Sequence, residues 1–144
     1  MDIYLDANAT TPVLPAARDA ALAAMAEGFG NPSSIHGSGL RARAVVEQVR
    51  ACARRVLGVP QGRLLFLSGA TEGIQAAVLS ALIALRERPA SRQPQAPALL
   101  LYGATEHKAV PEALRHWNTL LALRCELQPI PVGRDGRHDL AWLR

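Results

Sequence analysis

Apolar residues recur along the 144-residue chain at a helical spacing through its alanine-rich stretches. In between come short, unbroken apolar runs bounded by glycine and proline. In 13–27 a stripe of Leu14, Ala17, Ala21, Leu22 and Met25, introduced by Thr11 and Pro12 and stopped by Gly28 and Gly30, predicts a first helix. Residues 28–39 (GFGNPSSIHGSG) concentrate Gly, Pro, Ser and Asn and predict a loop. It is longer than a compact domain usually needs, as functional loops and linkers both are. Over 40–57, Ala42, Val45, Val46, Val49, Ala53, Val56 and Leu57 predict a second helix, ended by Gly58 and Pro60. The continuous run 64–67 (LLFL) predicts a buried parallel strand, followed by the turn 68–73 and a helix over 74–86.

The polar, proline-rich stretch 87–97 predicts a surface connection, and 98–102 a second buried strand. After a turn at 103–106, a helix is expected over 107–121 with Val110, Ala113, Leu114, Trp117 and Leu121 inward; Pro111 is tolerable because it falls in the first turn. A third strand fits 126–132, where Pro129 and Pro131 point to an edge or an irregular run. Residues 133–136 form a turn, and Asp139 is placed to cap a helix. Alternating strands and helices predict an α/β fold with a parallel sheet and right-handed crossovers.

Composition agrees with a globular domain: 49% of residues are hydrophobic, 4% aromatic and 19% charged. The net charge of +4 raises the question of an anionic partner. Arg41, Arg43, Arg50, Arg54 and Arg55 are spread along one expected helix with few aromatics nearby, a pattern of a solvated face, so no nucleic acid is expected. Cys52 and Cys125 lack metal or disulfide-framework spacing. The acidic start of the chain lacks the features of an export signal, and the apolar stretch 76–85 is far below the roughly 20 residues that cross a bilayer. A cytoplasmic protein with no membrane partner is expected. Fifteen of the 16 basic residues are arginine, which leaves Lys108 as the single lysine.

Chemistry concentrates at two expected strand ends. Ser68-Gly69-Ala70-Thr71-Glu72-Gly73 joins a strand to a helix, where amides at a helix N-terminus favour an anion such as phosphate. It matches neither GxxxxGK[ST] nor GxGxxG, and an ordinary turn with Thr71 as N-cap accounts for it equally well. Thr105-Glu106-His107-Lys108 follows the next strand and brings an imidazole to the same sheet edge. His107 could stack on a planar group or move protons, while Lys108 points about 100 degrees away around the helix.

Four blocks taken together resemble one family. Tyr4 to Pro12 (YLDANATTP), Gly30 to His36 (GNPSSIH), Ser68 to Glu72 (SGATE) and Thr105 to Val110 (TEHKAV) are similar, in order and spacing, to blocks of the cysteine desulfurases. These are pyridoxal-phosphate enzymes of the class V aminotransferase group, and the likeness is to the nitrogen-fixation and iron-sulfur-cluster type. The resemblance implies part of a large domain of the aspartate-aminotransferase type with a mostly parallel sheet, in which 1–12 is an N-terminal arm and 13–144 belongs to the cofactor domain. It implies a homodimer that converts L-cysteine to L-alanine and passes sulfur to an enzyme persulfide, with a sulfur-acceptor protein as a further partner.

By that resemblance Gly69, Ala70 and Thr71 would hold the cofactor phosphate, and His107 would stack on the pyridine ring and assist proton transfer. Asn8, Asn31 and His36 would lie near the active-site mouth, and no metal is implied. The family's cofactor-anchoring lysine, in a later Ser-x-His-Lys block, its ring-nitrogen aspartate and its persulfide cysteine have no counterpart in these residues. Lys108 matches another block and reads as a surface lysine. The resemblance therefore implies an N-terminal portion, inactive alone. Alternatives are a non-catalytic remnant or split half needing a complementary C-terminal chain, or a selenocysteine lyase or class V aminotransferase relative. A sheet ending after three strands is expected to leave an edge and apolar faces exposed.

Overall fold

The computed structural model describes residues 3–89 and 97–143. These form two units, divided between Leu65 and Phe66, and each is described separately. Most of the proline-rich connection expected at 87–97 lies outside the described residues.

The first unit holds helices α1 (Pro15–Glu27) and α2 (Gly37–Val56). Pro15 at the first helical position starts α1, because its fixed φ suits the turn and its missing N–H would have found no partner there. Its apolar stripe is not covered: α1 buries no residue, and Leu14, Leu22 and Met25 stand in solvent. Periodicity records which residues share a face, and burial depends on an element to cover it. Helix α2 starts three residues earlier than expected, because His36 caps it by accepting from the Gly39 amide at 3.4 Å. Only Gly39 and Ala42 of α2 are buried; Val45, Val49, Val56 and Leu57 of the expected stripe are exposed.

The second unit contains α3 (Ala70–Arg86), β1 (Leu99–Gly103), α4 (Ala109–Leu120), β2 (Glu126–Ile130) and a short 3-10 turn, Leu140–Leu143. Strands β1 and β2 pair in parallel, Leu99 opposite Glu126 through Gly103 opposite Ile130, with α4 as the crossover. The ladder runs one step further through the Ala104 amide to the Ile130 carbonyl, 3.2 Å. Helix α4 packs on both α3 and β1. Ala113 is fully buried, Val110, Leu114, Trp117 and Leu121 are half-buried as expected, and Leu82 of α3 is 2% exposed. A 2.6 Å bond from the Trp117 Nε1 to the Gln75 Oε1 joins the two helices.

The expected strand at 64–67 is absent. The run lies outside the strands of the described residues and leaves Leu65 75% and Phe66 55% exposed. An apolar run states a demand for burial but does not by itself set a ladder, and the sheet has two strands among the described residues rather than three. The burial of β1 alternates, with Leu99 and Leu101 exposed, so one sheet face is uncovered where a doubly buried strand was expected. Strand β2 stops at Ile130; Pro129 is accommodated because, among the described residues, β2 has a neighbour on one side only. Beyond it, Val132 forms an isolated antiparallel bridge with His138 around the turn at Gly136, whose φ is +78°. Asp139 caps as expected, its Oδ1 accepting from the Ala141 amide at 3.0 Å, but the element it opens is 3-10.

Candidate functional site

Helix α3 begins four residues before the position read from periodicity, with Gly69 as its N-cap and Thr71 already inside the first turn. The alternative of Thr71 as N-cap is thereby removed. No side chain caps this terminus, so the first-turn amides lack intrahelical acceptors. Nothing lies within 4 Å of where a Gly69 Cβ would stand, and Gly69, Ala70 and Thr71 are all exposed. The Glu72 carboxylate is drawn back from the helix axis: its Oε2 accepts from the Ser68 amide at 2.6 Å and the Ser68 hydroxyl at 2.7 Å. Those two bonds hold the carboxyl below its ordinary pKa of 4.5, the backbone bond first. Open amides beside a hydroxyl at a helix start suit a phosphate.

The second feature follows β1. Ala104 to Lys108 turn out of the strand, closed by the Glu106 amide on the Gly103 carbonyl at 3.0 Å. Helix α4 starts at Ala109 with Lys108 as N-cap, so His107 and Lys108 precede the helix instead of lying in it, and the 100-degree separation expected of helical neighbours does not apply. The His107 Nδ1 accepts from the Ala109 amide at 3.2 Å. This assigns the proton of the neutral ring to Nε2, and the side chain is exposed. Lys108 is exposed.

The other three expected residues lie in the first unit. The Asn31 Oδ1 accepts from the Ser33 amide at 2.9 Å and its carbonyl from the Ser34 amide at 2.9 Å, while the Arg43 Nε holds the Pro32 carbonyl at 2.7 Å. This loop lies against the first turn of α2 so closely that a Cβ on Gly39 would stand 2.5 Å from the Ser34 carbonyl oxygen and 2.7 Å from that of Asn31. Asn31 and His36 are thus brought together as parts of one folded loop. Asn8 is exposed in a turn that the Tyr4 hydroxyl braces, 3.0 Å from the Asp6 and Thr10 carbonyls.

Sequence reasoning passed over His138. Its Nε2 lies 3.3 Å from the Thr105 Oγ1, above Gly103 at the end of β1. No spacing rule marks a histidine 33 positions from its partner; only the bridge to Val132 brings it there. Among the described residues no group of His, Cys, Asp and Glu is placed to hold a metal ion, and no helix is long and apolar enough to cross a membrane. Cys52 is exposed and Cys125 buried, both as free thiols; burial pushes the Cys125 thiol up from 9.0.

Comparison with known proteins puts these features in one frame. The chain is 37% identical over 143 residues to a cysteine desulfurase of Cereibacter sphaeroides, covering 99% of this chain and 34% of that protein. It is 34% identical to the cysteine desulfurase NifS of Azotobacter vinelandii, covering 96% of this chain and 32% of the relative. Among solved structures, a NifS-like protein superposes with a TM-score of 0.78 at 28% identity, over 99% of this chain and 36% of its own. The α/β fold is therefore that of the NifS-like, pyridoxal-phosphate-dependent type, and the chain spans about a third of the length of these relatives. The family model described as aminotransferase class-V matches residues 3–144, and with the SGATE and TEHKAV blocks standing at the starts of α3 and α4 the chain belongs to the class-V aminotransferase family.

Proposed function

We propose that the chain is the N-terminal part of the cofactor domain of a cysteine desulfurase, with residues 1–12 as its arm, acting in the cytoplasm in iron-sulfur cluster or other sulfur-compound biosynthesis. The whole enzyme converts L-cysteine to L-alanine as one sulfur atom passes to a cysteine thiol and makes a persulfide. The observation that carries this is the open helix start at Gly69-Ala70-Thr71, standing in one unit with an exposed imidazole held at Nδ1 by the Ala109 amide.

Those residues fit pyridoxal phosphate. The Ala70 and Thr71 amides and the Thr71 hydroxyl would take the phosphate, Gly69 leaving room for it. His107 would lie against the pyridine ring, and its Nε2 would hold or release a proton beside the substrate. Bound there, the cofactor supplies the electron sink that this chemistry needs. Asn31 and His36 would shape the mouth through the fold of their loop, and Asn8 would contribute from the arm. L-Cysteine is the substrate; a second copy, or a complementary C-terminal chain, and a sulfur-acceptor protein are the partners. The one lysine, Lys108, opens α4 and is not the anchoring residue, so the chain alone docks the cofactor without turnover.

Pyridoxal phosphate titration, followed by absorbance before and after borohydride, tests this. Saturable binding that Thr71→Ala weakens about tenfold or more is expected, as for a lost hydrogen bond to a charged group. The absence of saturable binding, or release of alanine and sulfide from cysteine by the chain alone, counts against it.

A further inference from the structure

The turn that carries His107 is held from an unexpected direction. After β2 the chain doubles back: Val132 bridges His138, the Gly133 amide reaches the Arg137 carbonyl at 2.9 Å, and the Asp139 amide reaches the Pro131 carbonyl at 2.8 Å. This ladder brings the half-buried imidazole of His138 over the last residue of β1. A Cβ at Gly103 would stand 2.8 Å from the His138 Nε2 and 3.2 Å from its Cε1, so the ring occupies space that only glycine leaves open. From there Nε2 reaches the Thr105 Oγ1 at 3.3 Å. Thr105 is exposed, in the middle of the turn, two residues before His107. The turn's backbone bonds close it at Ala104 and Glu106. The bond to His138 is the long-range hold on the residue between them.

We propose that His138 is a positioning residue for His107: through Thr105 it fixes the turn between β1 and α4 and thereby the direction in which the His107 ring presents Nε2. The inference rests on the function proposed above only for what His107 does; the coupling itself is a property of this unit. Either neutral tautomer of His138 can serve, since the Thr105 hydroxyl donates to a bare Nε2 or accepts from a protonated one. Gln at this position carries a polar atom near the place of Nε2, whereas Leu carries none.

The experiment uses isotope-labelled chain with His138→Leu, Thr105→Val, their combination and His138→Gln, with His116→Leu as a control. His107 ring resonances and the exchange of the 104–108 amides report the turn directly. Pyridoxal phosphate affinity reports its consequence. The expected result is that His138→Leu and Thr105→Val each move the His107 resonances and weaken the cofactor by about threefold to tenfold, the size of one neutral hydrogen bond. The double variant is no worse than either single one, His138→Gln restores the parent values, and His116→Leu changes neither. Additive losses, or His107 resonances that stay in place in Thr105→Val, would overturn the proposal. Thr105→Val is isosteric and exposed, so it decides the matter even where His138→Leu disturbs folding. If the parent chain shows no affinity for pyridoxal phosphate the functional reading fails, while the resonance and exchange data still judge the coupling.

Discussion

One carboxylate controls how α3 offers its amides. Glu72 sits in the first helical turn, where a negative charge is favourable against the helix dipole, yet it would compete with an incoming phosphate if it pointed along the axis. Its two bonds to Ser68 fold it back, satisfying the residue ahead of the cap and leaving Ala70 and Thr71 open. Because the folded pKa lies below 4.5, the stabilisation is present above that pH and is lost as the pH falls through the lowered value. The Ser68 amide proton, followed by NMR during acidification, should show one inflection below pH 4.5. Glu72→Gln can still accept from Ser68 but cannot titrate, so its Ser68 amide should stay level over the same range. A parent inflection at or above 4.5 contradicts the described bonds.

Between α4 and β2 the chain has to reverse within a few residues, and it does so with two non-glycine residues at positive φ, Ala122 at 54° and Arg124 at 56°. Such conformations cost roughly 1–2 kcal/mol each and persist only where the surroundings impose them. Asn118 imposes this one: its Nδ2 donates to the Cys125 carbonyl at 2.9 Å, and its Oδ1 accepts from the Cys125 amide at 3.0 Å. One side chain of α4 thus fixes where β2 begins and which residue meets Leu99. Asn118→Ala leaves two backbone groups beside a buried thiol without partners, at a cost of about 1–3 kcal/mol. Hydrogen exchange should show faster exchange at Cys125 and along β2, with α2 unchanged. Helix α4 itself was legible in the sequence because its apolar stripe meets α3 and β1, so period and burial agree. That the run 64–67 stands outside the strands of the described residues was not legible, since Leu and Phe advertise burial without naming the surface that provides it. The start of α2 was hidden by Gly37, Ser38 and Gly39, which read as loop formers until the His36 cap and the close approach of Asn31 and Ser34 are seen. Of the candidate site, the SGATE and TEHKAV blocks were legible as local patterns, but only the second follows a strand among the described residues. The hold of His138 on Thr105 was not, because it spans 33 positions and depends on the Val132 bridge.

At the scale of the whole molecule, large apolar side chains stand in solvent where function would not ask for it: Leu65, Phe66 and Leu67 in the run 64–67, Leu99 and Leu101 on the open face of β1, and Leu140, Trp142 and Leu143 beyond β2. The continuous apolar run of β1 suits a strand covered on both faces, yet Leu99 and Leu101 are exposed, and among the described residues β1 has a hydrogen-bonded neighbour on one side only. Unpaired strand edges and apolar patches of this extent drive association. The isolated chain should therefore self-associate as its concentration rises through the micromolar range, measured by multi-angle light scattering. It should bind an apolar dye strongly, and Leu99→Ser combined with Leu101→Ser should lower the association without removing α4 or the parallel pairing. A monomer at every concentration, melting in one cooperative transition, would show that these side chains are covered in solution and would overturn the prediction.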